Sequence, residues 1–190
     1  FAHLHVQEAV ADAEPRDLTP GYVGFAGGEW MPDGRSILCT GPSLVDEHPD
    51  RGEFTRLYRV ALDGGTPSVF AELPNHSLAN PLPSPDGRHV ALTAREGGTS
   101  SYAHQTTVAI VPATGGAPRL LTAALDRDAS QLRWSRDSAA ITFVAPANGA
   151  FPLYRVATAT GTVERLTPRA DTGVRAYDLG PASVALVLTT

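Results

Sequence analysis

Side chains able to bind a metal ion cluster in one polar stretch of the sequence. They are Asp46, Glu47, His48 and Asp50. Carboxylate and imidazole groups are both metal ligands in proteins. The spacing matches neither an EF-hand loop nor a zincin helix, however, so the preferred interpretation is a solvated acidic loop.

A second candidate is a pair of histidines near the start of the chain. His3 and His5 are two residues apart and would share one face of a strand, which is a possible zinc pair. No third ligand accompanies them, and zinc sites need at least three protein ligands. We therefore interpret the pair as a coincidence of strand geometry. The sequence assigns no metal site and implies no cofactor.

The segment "TAREGGTSSY" around Ser100 has the glycines and hydroxyls of a phosphate-binding loop. It lacks the G-K-[ST] ending and a following helix, so nucleotide binding is not predicted. Cys39 is the single cysteine and lies in an apolar run, where a small buried side chain fits better than a reactive thiol.

Composition excludes two classes of partner. The net charge is -5 and the basic residues form no run, so we expect no nucleic-acid surface. The longest apolar stretch, around Val184 to Leu188, is far below the roughly 20 residues that span a bilayer, so we expect no membrane segment. The frequent glycine and proline residues indicate many tight turns.

The positions of these candidates depend on an internal repeat. Asp33, Asp86 and Asp137 follow one another at intervals of about 50 residues, in "WMPDGRSILCT", "PSPDGRHVALT" and "WSRDSAAITFV". Each copy continues with an aliphatic strand, a polar loop, a second strand ("TRLYRVAL", "TTVAIVPA", "PLYRVATA"), a glycine turn and a last strand. Proline, aspartate and glycine at such positions favour hairpins, and no segment has a sustained helical stripe.

Four antiparallel strands in about 50 residues, repeated, predict an all-β fold, a β-propeller of four-stranded blades. The whole chain, 1–190, is one propeller region. Three whole blades are expected at 21–73, 74–125 and 126–169, the end of a preceding blade at 1–19, and the start of a further blade at 173–190. About four blades' worth is present, and both ends look cut within a blade.

Two architectures fit this count. The end strands could pair into a composite fourth blade, or the chain could be part of a larger ring. The second is preferred because four blades lie at the small end of the range for propellers.

The pattern W-x-P-D-G-R, followed by "LYRV", "DGG" and a strand ending in "LT", resembles the propeller repeat of TolB-type proteins and of the prolyl oligopeptidase family of serine peptidases. Long loops such as "GPSLVDEHPDRGEFTRLYRV" make the acylaminoacyl-peptidase-like branch the most similar. The resemblance implies a propeller fragment that gates the access of short peptides to a catalytic α/β-hydrolase domain outside this chain. It also implies a cytoplasmic hydrolase, with the periplasm as the alternative, and a homo-oligomer is possible.

The catalytic residues of that family cannot be placed on this chain. No G-x-S-x-G nucleophile elbow occurs, and the segment around Ser100 has no closing glycine. We therefore expect this chain alone to be inactive and assign no catalytic residue. A TolB-like propeller that binds protein partners without enzymatic activity is the alternative, and a lactonase-like or sugar-binding propeller is a third.

Residues that recur in the repeat are interpreted as scaffold. Trp30 and Trp134 are expected to pack between blades, and Arg35 and Arg88 to anchor neighbouring turns or carboxylates. In an antiparallel meander the Asp turns and the Gly turns lie at one end of the strands. The long loops 41–55 and 95–106 then lie at the other end, where we expect the partner domain or substrate.

Overall fold

The structure is a computed structural model that describes residues 1–43, 54–97, 105–167 and 173–189. These residues form three four-stranded antiparallel sheets and two two-stranded sheets. A 3-10 helix at Ala123–Leu125 lies between two of the sheets. No helix in the described ranges has the length and apolar character needed to cross a membrane.

Each four-stranded sheet is a meander in which consecutive strands pair. Sheet 1 comprises β3 (Ala26–Trp30), β4 (Ser36–Pro42), β5 (Thr55–Ala61) and β6 (Ser68–Ala71). Sheet 2 comprises β7 (His76–Pro83), β8 (His89–Glu96), β9 (Thr106–Pro112) and β10 (Arg119–Leu120). Sheet 3 comprises β11 (Ser130–Trp134), β12 (Ala140–Val144), β13 (Leu153–Ala157) and β14 (Val163–Arg165).

The two remaining sheets are hairpins at the ends of the described chain. The N-terminal pair is β1 (His5–Val6) with β2 (Arg16–Asp17), and the C-terminal pair is β15 (Gly173–Leu179) with β16 (Val184–Thr189). The all-β architecture of four-stranded antiparallel blades is confirmed. The division of the chain into one region with the blade boundaries given above stays a prediction.

Each four-stranded sheet buries apolar side chains on both of its faces, which explains why the second strand of each copy is a continuous apolar run. In β8, Leu92 packs with side chains of sheet 1, whereas Ala91 packs with side chains of sheet 3. In β12, Phe143 faces sheet 2 and Val144 faces the C-terminal pair. Alternate residues of a strand point to opposite faces, so stacked sheets require apolar residues at every position.

The first strand of each four-stranded sheet contains a β-bulge at the same place. The pairing register shifts between Ala26 and Glu29 in β3, between Ala79 and Leu82 in β7, and between Ser130 and Arg133 in β11. A bulge places two residues opposite one residue of the partner strand, bends the strand and redirects its side chains. The first strands β3, β7, β11 and β15 are called the inner strands below.

Candidate functional site

The two N-terminal histidines are held by protein groups. His3 Nδ1 lies 2.7 Å from Asp17 Oδ2 and its Nε2 lies 3.0 Å from the Gly21 carbonyl oxygen. The His5 ring stacks on the His3 ring with centroids 6.5 Å apart. His3 therefore fastens β1 to the end of β2, which is a structural role.

The acidic cluster of 46–50 and Ser100 lie outside the described residues. Among the residues that the structure does describe, no group of three or more His, Cys, Asp or Glu side chains is placed to hold a metal ion. The absence of a metal site and of a cofactor stays an expectation from the sequence.

Cys39 has the buried structural role that the sequence predicts. Its side chain is fully buried in the cluster between sheet 1 and the N-terminal pair, beside Phe25 and Tyr58. Burial raises the pKa of the Cys39 thiol to about 11, which keeps it protonated and unreactive at neutral pH.

Trp134 packs between sheets, as predicted. Its ring is 9% exposed within the cluster that joins sheets 2 and 3, and its Nε1 donates a hydrogen bond of 2.7 Å to the Leu82 carbonyl on β7. The same expectation is wrong for Trp30, which is 49% exposed. The physical reason is that the Trp30 indole, unlike that of Trp134, has no hydrogen-bond acceptor on a neighbouring inner strand among the described residues.

Replacing Trp134 with phenylalanine should lower the free energy of unfolding by about 2 kcal/mol, because the Leu82 carbonyl loses its donor while most of the packing remains. The matched change Trp30→Phe should stay within about 0.5 kcal/mol, as expected for an exposed ring. Urea unfolding followed by far-UV circular dichroism measures both. Equal losses in the two variants would show that the hydrogen bond contributes nothing.

The Asp turns are held by an interaction that the sequence comparison missed. The Ser84 hydroxyl donates to Asp86 Oδ1 at 2.6 Å and accepts a hydrogen bond from the His89 N–H at 3.0 Å. In sheet 3 the Ser135 hydroxyl donates the equivalent hydrogen bond to Asp137 Oδ1, also at 2.6 Å. Sheet 1 has Met31 in the place of the serine. The recurrence of serine two residues before the aspartate is the signal that could have identified this network.

The pKa values of both aspartates are lowered. For Asp86 the largest cause is the hydrogen bond from Ser84, followed by the backbone N–H of Arg88; for Asp137 the largest cause is the hydrogen bond from Ser135. A folded-state pKa below the ordinary value of 3.8 means that the unfolded chain binds more protons in acid. The stability that these turns contribute is fully present above that value and is lost as the pH falls through the lowered pKa.

We therefore expect the urea midpoint of unfolding to fall as the pH is lowered below about 4. The double variant Ser84→Ala, Ser135→Ala should have a shallower pH dependence in this range, because the aspartate pKa values then return toward 3.8. Ser68→Ala, in an exposed site, is the control. A pH profile of the double variant parallel to that of the wild type would refute the assignment.

The recurring arginines after the turns act through their backbones. The N–H groups of Arg35 and Arg88 donate to Asp33 Oδ1 and Asp86 Oδ1 at 2.9 and 3.0 Å. One guanidinium contact that links sheets comes from another arginine, Arg59 on β5. Its Nη2 donates to the Ala113 carbonyl of sheet 2, and its guanidinium lies 4.8 Å from the centre of the Phe70 ring.

Equivalent arginines join the other sheets. Arg16 on β2 donates to the Leu62 carbonyl of sheet 1, and Arg119 on β10 donates to the Thr158 carbonyl of sheet 3. The three carbonyls occupy the same place beside the Gly turn of each sheet. Arg16 and Arg119 donate from equivalent last strands, in "EPRDLTP" and "APRLLTA", whereas Arg59 donates from a third strand.

The Asp turns and the Gly turns lie at the same end of the sheets, as predicted. The Leu62 N–H donates to the Arg35 carbonyl, and the Ala113 N–H donates to the Arg88 carbonyl at 2.9 Å. These bonds join the start of the second strand to the end of the third. The role of the opposite end, where the long loops begin, stays a prediction.

A cavity of about 360 Å³ lies between the inner strands, toward the end where the long loops begin. Its walls carry an acid from β3, an apolar side chain from β7 and a base from β11. These are Glu29, Leu82 and Arg133. All three immediately follow the bulge of their strand, so they occupy one level of the stacked sheets.

The bulges use backbone conformations that favour glycine. Gly27 has a φ of 71°, and the equivalent residues Asn80 and Gln131 have φ values of 52° and 55°. A non-glycine residue in this region costs about 1 kcal/mol or more, and such residues concentrate at functional sites. The Asn80 amide donates to Thr93 Oγ1 at 3.0 Å, and the Gln131 amide donates to the Arg175 carbonyl at 3.1 Å. The cavity wall is thus fixed by side chains as well as by the ladder.

Comparisons with known proteins address the fold. No protein-family model and no curated protein matches this chain. Among solved structures, it resembles a puromycin hydrolase with a TM-score of 0.75 and 22% identity, over 98% of this chain and 32% of that chain. A putative TolB from Agrobacterium tumefaciens has a TM-score of 0.67 and 20% identity, over 99% of this chain and 63% of that one.

Pyrococcus horikoshii acylaminoacyl peptidase also resembles the chain, with a TM-score of 0.64 and 17% identity over 96% of this chain and 26% of that chain. This chain therefore spans about a third of the puromycin hydrolase and a quarter of the acylaminoacyl peptidase. At these identities the likeness establishes a shared β-propeller blade fold, the fold that the sequence repeat predicts.

Proposed function

We propose that this chain is a propeller portion of a serine peptidase of the prolyl oligopeptidase family, of the acylaminoacyl-peptidase type. It would gate the access of short peptides to an active site outside the chain. The observation that carries the proposal is the match of 98% of this chain to about a third of a puromycin hydrolase at a TM-score of 0.75. The partner that the resemblance implies is an α/β-hydrolase domain, and the proposed location is the cytoplasm.

The architecture supports a gating role on physical grounds. Each pair of neighbouring sheets shares its own buried apolar cluster, so the sheets form a rigid wall. Propeller blades surround a central channel, and the inner strands would line it. A rigid wall around a narrow opening admits an extended short peptide and excludes a folded protein.

The alternative is a TolB-like propeller that binds protein partners and has no catalytic domain. The specific observation in its favour is the match of 99% of this chain to 63% of a putative TolB. Both proposals use the same fold, so they differ only in what accompanies the propeller.

The deciding experiment is to capture the gene product from its source cells with an antibody against the Asp-turn end and to treat it with a fluorophosphonate probe. The peptidase proposal expects a labelled species well above the 20.0 kDa of this chain. An unlabelled species, captured together with other proteins, would instead favour the TolB-like alternative.

Gating has its own test in the labelled species. It should hydrolyse a blocked tripeptide and leave a folded protein uncut, and the rate for an unfolded polypeptide should fall as the polypeptide lengthens. A rate that does not depend on substrate size would contradict the gate while leaving the peptidase assignment intact.

A further inference from the structure

We propose that the cavity between the inner strands binds a short peptide with free ends, its ammonium group at Glu29 and its carboxylate at Arg133. This inference deepens the proposed function, on which it rests, by naming the chemistry that the gate recognises. It is argued from the order of charges along the wall, from the fixed bulge geometry and from the lack of an ion-pair partner for either charge.

Along the cavity wall an acidic side chain is followed by an apolar side chain and then by a basic one. Glu29, Leu82 and Arg133 come from three successive inner strands and hold equivalent positions after the bulge. A peptide with free termini has the complementary order: an ammonium group, side chains and a carboxylate. An arginine fork matches a carboxylate with two parallel hydrogen bonds.

Neither charge is neutralised within the described part of the chain. No ion pair there includes Glu29 or Arg133, and Arg133 Nη1 makes one hydrogen bond of 3.2 Å, to the Leu132 carbonyl. Arg133 also lies close enough to Tyr177 to interact with it electrostatically. A guanidinium has five N–H donors, so the exposed Arg133 keeps donors for a ligand.

The wall is preorganised. Asn80 and Gln131 keep the bulges in left-handed conformations, with their side chains bonded to Thr93 and to the Arg175 carbonyl. The Tyr177 hydroxyl lies between the carbonyl oxygens of Gln131 and Thr142, which fixes β11 from the other side. A fixed wall reduces the ordering cost of binding. The volume of about 360 Å³ is at the small end of ligand pockets, which suits two or three residues.

A larger cleft of about 630 Å³ beside the β15–β16 turn is a weaker candidate. Two arginines line it, and one of them, Arg155, is already paired with Glu164, while Asp137 in the same cleft is bonded to Ser135. Arg155 thus has an ion-pair partner, whereas no ion pair within the described residues includes Glu29 or Arg133.

The test is isothermal titration of the 190-residue chain with trialanine, N-acetyl-trialanine and trialanine amide. We expect saturable binding of trialanine and a loss of about tenfold or more on blocking either end, the size expected for one charge-assisted contact. Arg133→Gln should lower the affinity for trialanine to that for trialanine amide, and it should leave the affinity for the amide unchanged. Glu29→Gln should lower the affinity for trialanine to that for N-acetyl-trialanine, and it should leave the affinity for the acetylated peptide unchanged.

Arg136→Gln and Glu8→Gln are the matched controls, since both change the same charge at exposed positions outside the cavity. Urea unfolding checks that every variant remains folded. Absence of saturable trialanine binding, insensitivity to both blocking groups, or equal losses in the controls would overturn the inference. None of these results affects fluorophosphonate labelling of the parent, so failure here is distinguishable from failure of the peptidase proposal.

Discussion

Replacing Phe143 with alanine is expected to lower the free energy of unfolding by about 4 kcal/mol, within the range found when a buried phenylalanine is replaced by alanine. Phe143 is fully buried on β12 and stacks on Tyr154 with ring centroids 5.6 Å apart. Its side chain lies in the cluster that joins sheets 2 and 3. Domains are stable by only about 5–15 kcal/mol, so this loss removes a large part of the total.

The position of Phe143 explains why the neighbouring sheets cannot fill the space that the Phe143→Ala substitution leaves. It lies opposite the bulge of β11, between the paired residues Ser130–Val144 and Arg133–Thr142. Leu92 and Cys39 hold the equivalent positions in sheets 2 and 1 and are also fully buried. The bulge fixes the backbone on one side of the ring, so relaxation toward alanine is limited.

Urea unfolding measures the loss, and Phe151→Ala is the matched control because Phe151 is 51% exposed. The control should lose less than about 1 kcal/mol. Native-state hydrogen exchange adds a spatial readout: amides of β8, β9, β12 and β13 should exchange faster in Phe143→Ala, and those of β4 and β5 should change less. A uniform change across all sheets would contradict separate clusters at each interface.

The repeat made the blade predictable because its signals are local. Asp33, Asp86 and Asp137 fix turns by accepting hydrogen bonds from the backbone N–H groups two residues later. The short apolar runs that follow these turns indicate strands buried on both faces. These interactions depend on residues within one copy. A comparison of three copies therefore predicts the strand order, the turns and the end at which the turns lie.

The candidate site was not predictable in the same way. No sequence motif marks the bulges, because Gly27, Asn80 and Gln131 share a backbone conformation but not a residue type. The acid, apolar and base residues of the cavity differ among the copies, so a search for recurrence excludes them. Contacts between sheets, such as Arg59 with the Ala113 carbonyl, join positions 54 residues apart and follow from stacking alone.

Gly64 and Gly115 hold equivalent positions in the sequence repeat, but the stacking of the sheets gives them different surroundings. Gly64 and Gly115 are the first glycines of equivalent turns, with φ values of 100° and 93°. A Cβ atom on Gly64 would meet nothing within 4 Å, whereas a Cβ atom on Gly115 would lie 2.5 Å from the Phe70 carbonyl oxygen of sheet 1. That oxygen already accepts a hydrogen bond of 2.9 Å from the Gly116 N–H.

We therefore expect Gly115→Ala to lower the free energy of unfolding by about 3 kcal/mol and Gly64→Ala by about 1 kcal/mol. Both variants bear the cost of alanine at positive φ, so their difference isolates the contact between the turn of sheet 2 and the last strand of sheet 1. Relief of the clash must move backbone, since the atom that the Cβ meets is a carbonyl oxygen. Urea unfolding of the two variants side by side gives the difference directly. Equal losses would mean that this turn does not dock on sheet 1, and the stacking that builds the wall would then depend on the apolar clusters alone.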